Sequence, residues 1–196
     1  MSTLSTQQRC PWCGTDPIYT DYHDTEWGVP IHDDQTLFEL LLLEGAQAGL
    51  SWITILRKRD NYRKAFDNFD PQKMARYTQK RHEKLLNNEG IIRNKLKVAA
   101  FTKNAIAYLN IINSGTRFSD FLWQFTEHKT ITNQWQEMSE VPAFTDESTA
   151  MSKALKKAGF TFVGPTICYA FMQSAGMVND HLVTCFRYDE LKKTTS

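Results

Sequence analysis

One carboxylate lies inside one of the most apolar stretches of this chain. Residues 38–56 read FELLLLEGAQAGLSWITIL, and Glu39 and Glu44 are the charged residues among them. Five residues of an α-helix turn through about 500°, so the two carboxylates point about 140° apart. If Glu39 faces water, Glu44 faces the interior, where a carboxylate needs hydrogen-bond partners or a chemical task.

Five aromatic residues accompany this carboxylate in the sequence: Trp12, Tyr19, Tyr22, Trp27 and Trp52. Aromatic side chains most often pack in the core. Several of them around one inward carboxylate can instead form a flat slot that favours a cation. Base-flipping enzymes use such a slot to stack a base and to hydrogen-bond its edge. Spacing alone leaves both interpretations open.

Two cysteines and two histidines form a candidate metal site. His181 and Cys185 are four residues apart in a segment that we predict to be helical, which places them on one face. Cys10 and His23 lie in the irregular N-terminal segment. Two sulfurs and two imidazole nitrogens are a suitable tetrahedral set for Zn²⁺. Such a site would connect the first residues to the last helix and give order to the irregular segment.

Other interpretations of these residues remain. A His-x-x-x-Cys pair often arises by chance, and Cys10-x-x-Cys13 also has the spacing of metal ligands. The same CPWC stretch resembles a redox dithiol, although no βαβ pattern surrounds it. Cys168 is expected to be an ordinary core residue.

A glycine-flanked turn separates two predicted helices near the C-terminus. Gly159 and Gly164 bracket it, and Lys156 and Lys157 stand beside it. A turn of this kind can direct free backbone N–H groups from the start of the second helix toward a phosphate. It would then hold a DNA backbone without reading the base sequence. A plain turn between helices fits the pattern equally well.

The rest of the sequence predicts helices that hold these residues in place. Helix starts are expected at Asp33 or Asp34, Ser51, Asp70 and Thr78, because these residue types cap helix N-termini. No segment alternates convincingly with period two, so we predict an all-α fold of eight to ten helices. Residues 1–9 are expected to be a disordered tail, and residues 10–196 a single helical domain, or two helical lobes with the pocket between them.

Composition limits the class of protein. The chain has 196 residues, of which 41% are apolar and 23% charged, with a formal net charge of +1. These values are ordinary for a globular domain and argue against a surface that coats nucleic acid all over, but not against a local basic patch. No secretory signal or membrane span is visible, and four cysteines do not form a disulfide framework. We therefore expect a cytoplasmic protein.

Long motifs then identify a family. The segments YHDTEWGVP, LFELLLLEGAQAGLSWITILRKRDNYR, GIIRNKLKVAA and ALKKAGFTFVGPTICYAFMQSAGMVNDHLVTC closely resemble the bacterial DNA-3-methyladenine glycosylase I family. The resemblance runs from about Cys10 to Cys185. It implies an all-α helix-hairpin-helix glycosylase fold and one structural zinc ion per chain. Pro11 departs from the family pattern, in which a small residue is expected.

The resemblance also implies roles for individual residues. It assigns zinc to Cys10, His23, His181 and Cys185, and leaves Cys13 outside the site. It implies that Glu44 is the catalytic residue and that the base-binding residues are Tyr19, Tyr22, Trp52, Trp12 and Trp27. It implies DNA contacts at Gly49, at Leu50 as the plug behind a flipped nucleotide, and in the hairpin at Gly159 and Gly164.

The implied activity is base excision repair of double-stranded alkylated DNA. A buried carboxylate in an aromatic slot would favour cationic 3-methyladenine over neutral adenine, and water would complete the cleavage. We expect a monofunctional enzyme that acts as a monomer and leaves an abasic site. Other helix-hairpin-helix glycosylases carry a catalytic Asp where this chain has Asn179, and we do not expect Asp180 to be a general base.

Two further hypotheses belong to other classes. The chain could be a zinc-stapled helical DNA-binding module without catalysis. A zinc hydrolase of a small substrate needs an open metal position, and a closed shell of two Cys and two His argues against that.

Overall fold

Helices make up nearly all of the regular structure. The computed structural model describes residues 7–194. In that range the α-helices are α1 (Pro17–Thr25), α2 (Asp34–Gln47), α3 (Trp52–Leu56), α4 (Arg59–Ala65), α5 (Pro71–Met74), α6 (Gln79–Leu86), α7 (Lys95–Asn113), α8 (Phe118–Trp123), α9 (Asp146–Lys157), α10 (Pro165–Ser174) and α11 (Phe186–Thr194). Short 3₁₀ turns lie at Pro11–Cys13, Asp67–Phe69, Gln124–Thr126 and Met138–Glu140.

The strands are minimal. β1 (Ile131–Thr132) and β2 (Val178–Asn179) pair in parallel, with Ile131 opposite Val178. The predicted all-α class is therefore confirmed. The described residues hold more α-helices than the eight to ten expected. One reason is that the segment after Ser51, which the sequence suggests as one helix, divides into α3 and α4.

Three of the four predicted helix starts have a side-chain capping hydrogen bond. The carboxylate of Asp33 accepts from the backbone N–H of Thr36 over 2.8 Å at the start of α2. Asp70 and Thr78 do the same for α5 and α6. Ser51 precedes α3, but its side chain makes no capping hydrogen bond there. Side-chain acceptors at these positions satisfy backbone donors that have no partner within the helix.

Helix α2 lies at the centre of the fold. It packs against α3, α7, α8 and α10, and the residues from Leu41 to Ala46 are all buried. A helix that is apolar around most of its circumference needs neighbours on every side. Glu44 is therefore held on a rigid element inside the core, while Glu39 pairs with Arg63 nearer the surface.

The segment that carries His181 and Cys185 is not a helix. It forms a turn after β2, closed by a hydrogen bond from the backbone N–H of Cys185 to the carbonyl of Leu182 over 2.8 Å, and α11 begins only at Phe186. The helix prediction was wrong here. One reason is that the backbone of this segment bonds across the fold, as where Val183 N–H donates to the carbonyl of Trp135.

The N-terminal tail predicted over residues 1–9 lies mostly outside the described residues. Within them, the carbonyl of Gln8 accepts a hydrogen bond from the N–H of Phe186, and Arg9 forms an ion pair with Asp24. Across the described part of the chain, no helix is both long enough and apolar enough to cross a bilayer.

Candidate active site

The five aromatic residues and Glu44 line one cavity of about 200 Å³. Its wall also includes side chains from α10, from the residue after β2, and from the 3₁₀ turn and loop before α9. Among them are Ser174, Gln173, Asp180, Met138 and Val141. The lining is mixed in character, because it contains both aromatic rings and polar side chains. Such a cavity can stack a flat heterocycle and hydrogen-bond its edge.

Helix α1 and its flanks place most of the aromatic wall. Asp16 caps α1 by accepting from the N–H of Ile18. Tyr19, Tyr22 and His23 then share one face of the helix at the i, i+3 and i+4 spacing. The ring centroids of Trp12 and Tyr19 are 4.9 Å apart, and those of Tyr22 and Trp52 are 5.7 Å apart.

Glu44 enters the cavity from α2 with a side chain that is almost wholly buried, the residue being 1% exposed. Its Oε1 accepts a hydrogen bond from the hydroxyl of Ser174 over 2.7 Å. Burial raises the pKa of Glu44 to about 8, and the Ser174 hydrogen bond opposes that rise. Without a ligand, the carboxyl group therefore keeps its proton at neutral pH more readily than an ordinary glutamate does.

Several buried polar atoms around this cavity lack a partner among residues 7–194. They are Glu44 Oε2, the Tyr22 hydroxyl, and the indole Nε1 atoms of Trp12 and Trp52. A buried polar atom without a hydrogen bond costs free energy, so a set of them around one cavity indicates groups kept for a ligand. The set holds a carboxylate acceptor, a hydroxyl and two N–H donors. Burial, and secondarily the charge of Glu44, raises the pKa of Tyr22, which keeps its hydroxyl protonated.

The carboxylate of Asp180, which also lines the cavity, accepts hydrogen bonds on both of its oxygens. Its Oδ1 accepts from Asn133 Nδ2 at 2.6 Å and from Trp135 Nε1 at 2.8 Å. Its Oδ2 accepts from the Tyr169 hydroxyl at 2.6 Å and from Gln173 Nε2 at 2.9 Å. The structure gives the carboxylate four donors, so it joins the loop after β1 to α10.

The four predicted metal ligands meet in one buried cluster. One ligand atom from each of Cys10, His23, His181 and Cys185 lies within 4.8 Å of the others. Cys10 Sγ is 3.6 Å from His181 Nδ1, and Cys185 Sγ is 3.4 Å from His23 Nε2. A tetrahedral zinc site separates sulfur from nitrogen by about 3.6 Å. The donor set and its spacing therefore fit a metal ion, while Cys13 lies outside this group and donates to the carbonyl of Cys10.

The remaining ring nitrogens of the cluster are also held. His23 Nδ1 is 2.8 Å from Asp24 Oδ1, and His181 Nε2 is 3.1 Å from the carbonyl oxygen of Trp27. Such partners set the orientation and tautomer of a metal-binding imidazole. Because Trp27 also lines the cavity, this contact links the cluster to the aromatic wall. Gly28 must lack a side chain, since a Cβ there would lie 3.2 Å from His181 Nε2 in a backbone with φ of +82°.

The predicted DNA-facing residues lie at the surface. Gly49 has φ of +78°, which suits glycine, and Leu50 is 40% exposed. Gly159, with φ of +102°, ends α9, and Gly164 precedes α10. The backbone N–H groups of Val163, Gly164 and Thr166 find no acceptor among residues 7–194.

Comparison with known proteins decides the family. A family model described as methyladenine glycosylase matches residues 12–188. The chain belongs to the methyladenine glycosylase family. The family predicted from the sequence motifs, and the enzyme class that goes with it, are thereby confirmed.

Relatives of this family match along nearly their whole length. A DNA-3-methyladenine glycosylase of Haemophilus influenzae is 54% identical over 90% of this chain and 96% of its own. DNA-3-methyladenine glycosylase 1 of Escherichia coli is 52% identical over 92% and 97%. A crystal structure of 3-methyladenine DNA glycosylase I superposes with a TM-score of 0.90 at 50% identity, covering 91% of this chain and 98% of that one. A Staphylococcus aureus glycosylase, whose structure concerns 3-methyladenine recognition, gives 0.88 at 38% identity over 91% and 95%.

Several residues in and around this cavity have no signal in the sequence that would predict their contacts. Ser174 and Asp180 line the cavity and form hydrogen bonds with residues that are distant in the sequence. Ser174 and Glu44, for example, are 130 positions apart. No periodicity or motif signals a partner at that distance. Trp135 and Asn133 lie in the loop after β1, where no sequence motif indicates a role. The sequence draws attention to Asp180 beside Asn179 and His181, but no pattern indicates the four donors that bond to its carboxylate.

Proposed function

We propose that this chain hydrolyses the N-glycosidic bond of 3-methyladenine in alkylated DNA, releasing the free base and leaving an abasic site. One observation carries the proposal: Glu44 presents an unpaired carboxylate oxygen to a cavity with aromatic walls. The names of the relatives agree with this activity, which the sequence motifs also predict.

Charge explains the selection of the damaged base. 3-Methyladenine that is still attached to deoxyribose is cationic. Its exocyclic amine can donate a hydrogen bond to Glu44 Oε2. A cation beside Glu44 favours the ionised carboxylate and lowers a pKa that burial has raised to about 8. Neutral adenine gains only the hydrogen bond. Binding of the damaged base is thus coupled to release of the Glu44 proton.

The aromatic wall supplies stacking for a flipped base. Tyr22, Trp52, Trp12, Tyr19 and Trp27 line the same cavity as Glu44. Stacking on such faces is largely indifferent to base identity, so it gives affinity while Glu44 gives selectivity. The indole N–H groups and the Tyr22 hydroxyl that lack partners are available to the purine edge.

The cleavage itself needs little from the protein. When the C1′–N9 bond breaks, its electron pair passes to the purine, which loses its positive charge and leaves as a neutral base. Water supplies a hydroxyl to C1′ and releases a proton. The enzyme's contribution is to flip, bind and orient the base. No lysine is among the described residues that line the cavity, which supports a monofunctional hydrolysis without a Schiff base.

Two surface segments are proposed to hold the DNA. Leu50 would fill the space left by the flipped nucleotide, and Gly49 lets the backbone come close. The turn from Gly159 to Gly164 offers unpaired N–H groups at the start of α10, where the helix dipole favours a phosphate. Lys156 and Lys157, both exposed, lie at the end of α9 before this turn.

The buried Cys–His cluster is proposed to hold one structural zinc ion per chain. When bound, zinc fixes four side chains from two ends of the chain, and its shell is closed to substrate. Cys10 and His23 come from the segment that builds the aromatic wall, so the staple would support the pocket. We further propose a helical domain over residues 10–196 that acts as a monomer on double-stranded DNA in the bacterial cytoplasm.

A direct assay tests the activity. DNA alkylated at adenine N3 is incubated with the protein, and released bases are separated by chromatography. Free 3-methyladenine is expected from the wild type, and its absence would reject the proposal. Glu44→Gln is expected to lower release on the order of 100-fold, whereas Glu39→Gln on the same helix should stay within about twofold, since it removes a partly exposed ion pair.

The same variants distinguish catalysis from binding alone. A zinc-stapled DNA-binding module would bind alkylated duplex equally well before and after Glu44→Gln and would release no base. The family assignment does not favour that alternative.

A further inference from the structure

A buried lysine of α7 forms hydrogen bonds to the end of the helix that carries Glu44. The residue, Lys97, is only 8% exposed. Its ammonium donates to the carbonyl oxygens of Ala46 at 2.8 Å and of Ala48 at 2.6 Å. The last carbonyls of a helix have no partner within it, and a positive charge there is favoured by the helix dipole. No carboxylate among residues 7–194 pairs with this ammonium.

The two carbonyls lie where α2 passes into the exposed loop. Ala46 is two residues beyond Glu44, and Ala48 directly precedes Gly49 and Leu50. Burial lowers the pKa of Lys97, which reflects the cost of keeping a charge in this position. That cost is offset by two strong charge-assisted hydrogen bonds. The ammonium thereby sets the direction in which the chain leaves α2.

Two helical turns further along α7, a second buried side chain holds the other DNA-facing segment. Asn104 Oδ1 accepts from the N–H of Thr161 at 2.8 Å, and its Nδ2 donates to the carbonyl of the same residue at 3.1 Å. Thr161 is in the middle of the turn between Gly159 and Gly164. Seven residues correspond to nearly two full turns, so Lys97 and Asn104 lie on one face, about 10 Å apart along the axis.

The turn also contacts α2 directly. Phe162, with φ of +57°, places its Cβ and carbonyl oxygen 3.3 Å from the position of a Cβ on Gly45, the neighbour of Glu44. A side chain at Gly45 would push the turn away. Helix α7 and this glycine contact therefore fix the loop at Leu50, the turn at Thr161 and the end of α2 relative to one another.

We infer that Lys97 and Asn104 are positioning residues for DNA engagement, and that α7 sets the distance between the Leu50 loop and the phosphate-holding turn. The inference rests on the proposed DNA contacts of those two segments. Neither side chain lines the base cavity. Their loss should therefore weaken the grip on DNA and leave binding of the free base intact.

The test separates these two kinds of binding. Lys97→Met removes the ammonium, and Lys95→Met, an exposed lysine on the same helix, is the matched control for loss of one charge. Free 3-methyladenine binding is followed by tryptophan fluorescence, since three tryptophans line the cavity. Affinity for a duplex with an abasic-site analogue is measured by fluorescence anisotropy at one salt concentration, well below the unfolding temperature.

For Lys97→Met we expect duplex affinity to fall about 10-fold or more, with free-base affinity within about twofold of the wild type. Lys95→Met should lose far less duplex affinity. Asn104→Ala is the second variant and should show the same split if Lys97→Met does not fold. In the double variant, the loss of duplex-binding free energy should be smaller than the sum of the losses in the two single variants. Either change alone already lets the distance between the two DNA-facing segments vary.

Equal duplex affinity in wild type, Lys97→Met and Asn104→Ala would overturn the inference. A parallel loss of free-base and duplex binding would also overturn it, since that indicates general damage to the fold. Failure of the proposed function looks different: the wild type itself would neither release 3-methyladenine nor prefer the abasic duplex.

Discussion

The hydroxyl of Ser174 donates to Glu44 Oε1 over 2.7 Å, and Oε2 of the same carboxylate remains without a partner among the described residues. The hydrogen bond orients the carboxylate, so that one oxygen belongs to the protein and the other to the ligand. A residue at the end of α10 thus prepares a residue of α2 for binding.

Replacing Ser174 should shift the pH dependence of base release. Ser174→Ala removes a hydrogen bond that lowers the pKa of Glu44. The carboxyl group then ionises at higher pH. The pH at which kcat/KM rises should therefore also be higher than in the wild type. Ser174→Thr, which keeps a hydroxyl, should restore the profile. An unchanged profile in Ser174→Ala would contradict this role.

The buried Glu44 should make stability depend on pH. Its pKa is about 8 in the folded chain against an ordinary 4.5. Below about pH 4.5 both states are protonated; between 4.5 and 8 the unfolded state loses the proton that the folded state keeps. Folding therefore becomes less favourable as pH rises, by at most roughly 5 kcal/mol.

Glu44→Gln should lack this dependence, so the measurement is a difference between two proteins. Free energies of unfolding from urea titrations are compared at several pH values with the metal content held constant. The wild type should lose stability relative to the glutamine variant from pH 4.5 to 8 and level off above that. Parallel curves would show that Glu44 titrates normally.

Metal binding should depend on Cys185 and be independent of Cys13. Both thiols are buried, but Cys13 lies outside the four-residue cluster. Cys185→Ser should lose zinc, measured by mass spectrometry of the native protein. A stability loss of about 3 kcal/mol should lower Tm by roughly 10 °C for a chain of this size. Cys13→Ser should keep one zinc per chain, and a loss of zinc in that variant would assign the metal differently.

Shortening Leu50 should weaken base flipping without altering the pocket. Leu50→Ala removes the side chain proposed to occupy the gap, and burial of its apolar atoms between the bases is worth on the order of tenfold in affinity or rate. Release of 3-methyladenine from duplex DNA should fall by that factor, while binding of the free base is unchanged. Ile106→Ala, another exposed apolar residue, is the control. Equal losses in both variants would argue against a specific plug.

Local patterns in the sequence determined much of this protein. Capping residues determine where helices begin, as at Asp33, Asp70 and Thr78. The apolar run of α2 determines that this helix is buried. The interior position of Glu44 followed from helical geometry once Glu39 was taken to face water, because residue spacing on a helix fixes the angle between two side chains. Ligand chemistry singled out the Cys and His residues, which tertiary structure then brings within reach of one another.

Only the tertiary structure decided how those parts act together. Several of the contacts join residues that are far apart in the chain. They are the bond that holds the turn at His181, the hydrogen bond from Ser174 to Glu44 and the hydrogen bond from Lys97 to the carbonyl of Ala48. Their polar atoms are satisfied by long-range contacts, which the rules of local backbone geometry do not encode. Propensity and spacing can predict which elements form, but the free energy of packing them determines which side chains meet.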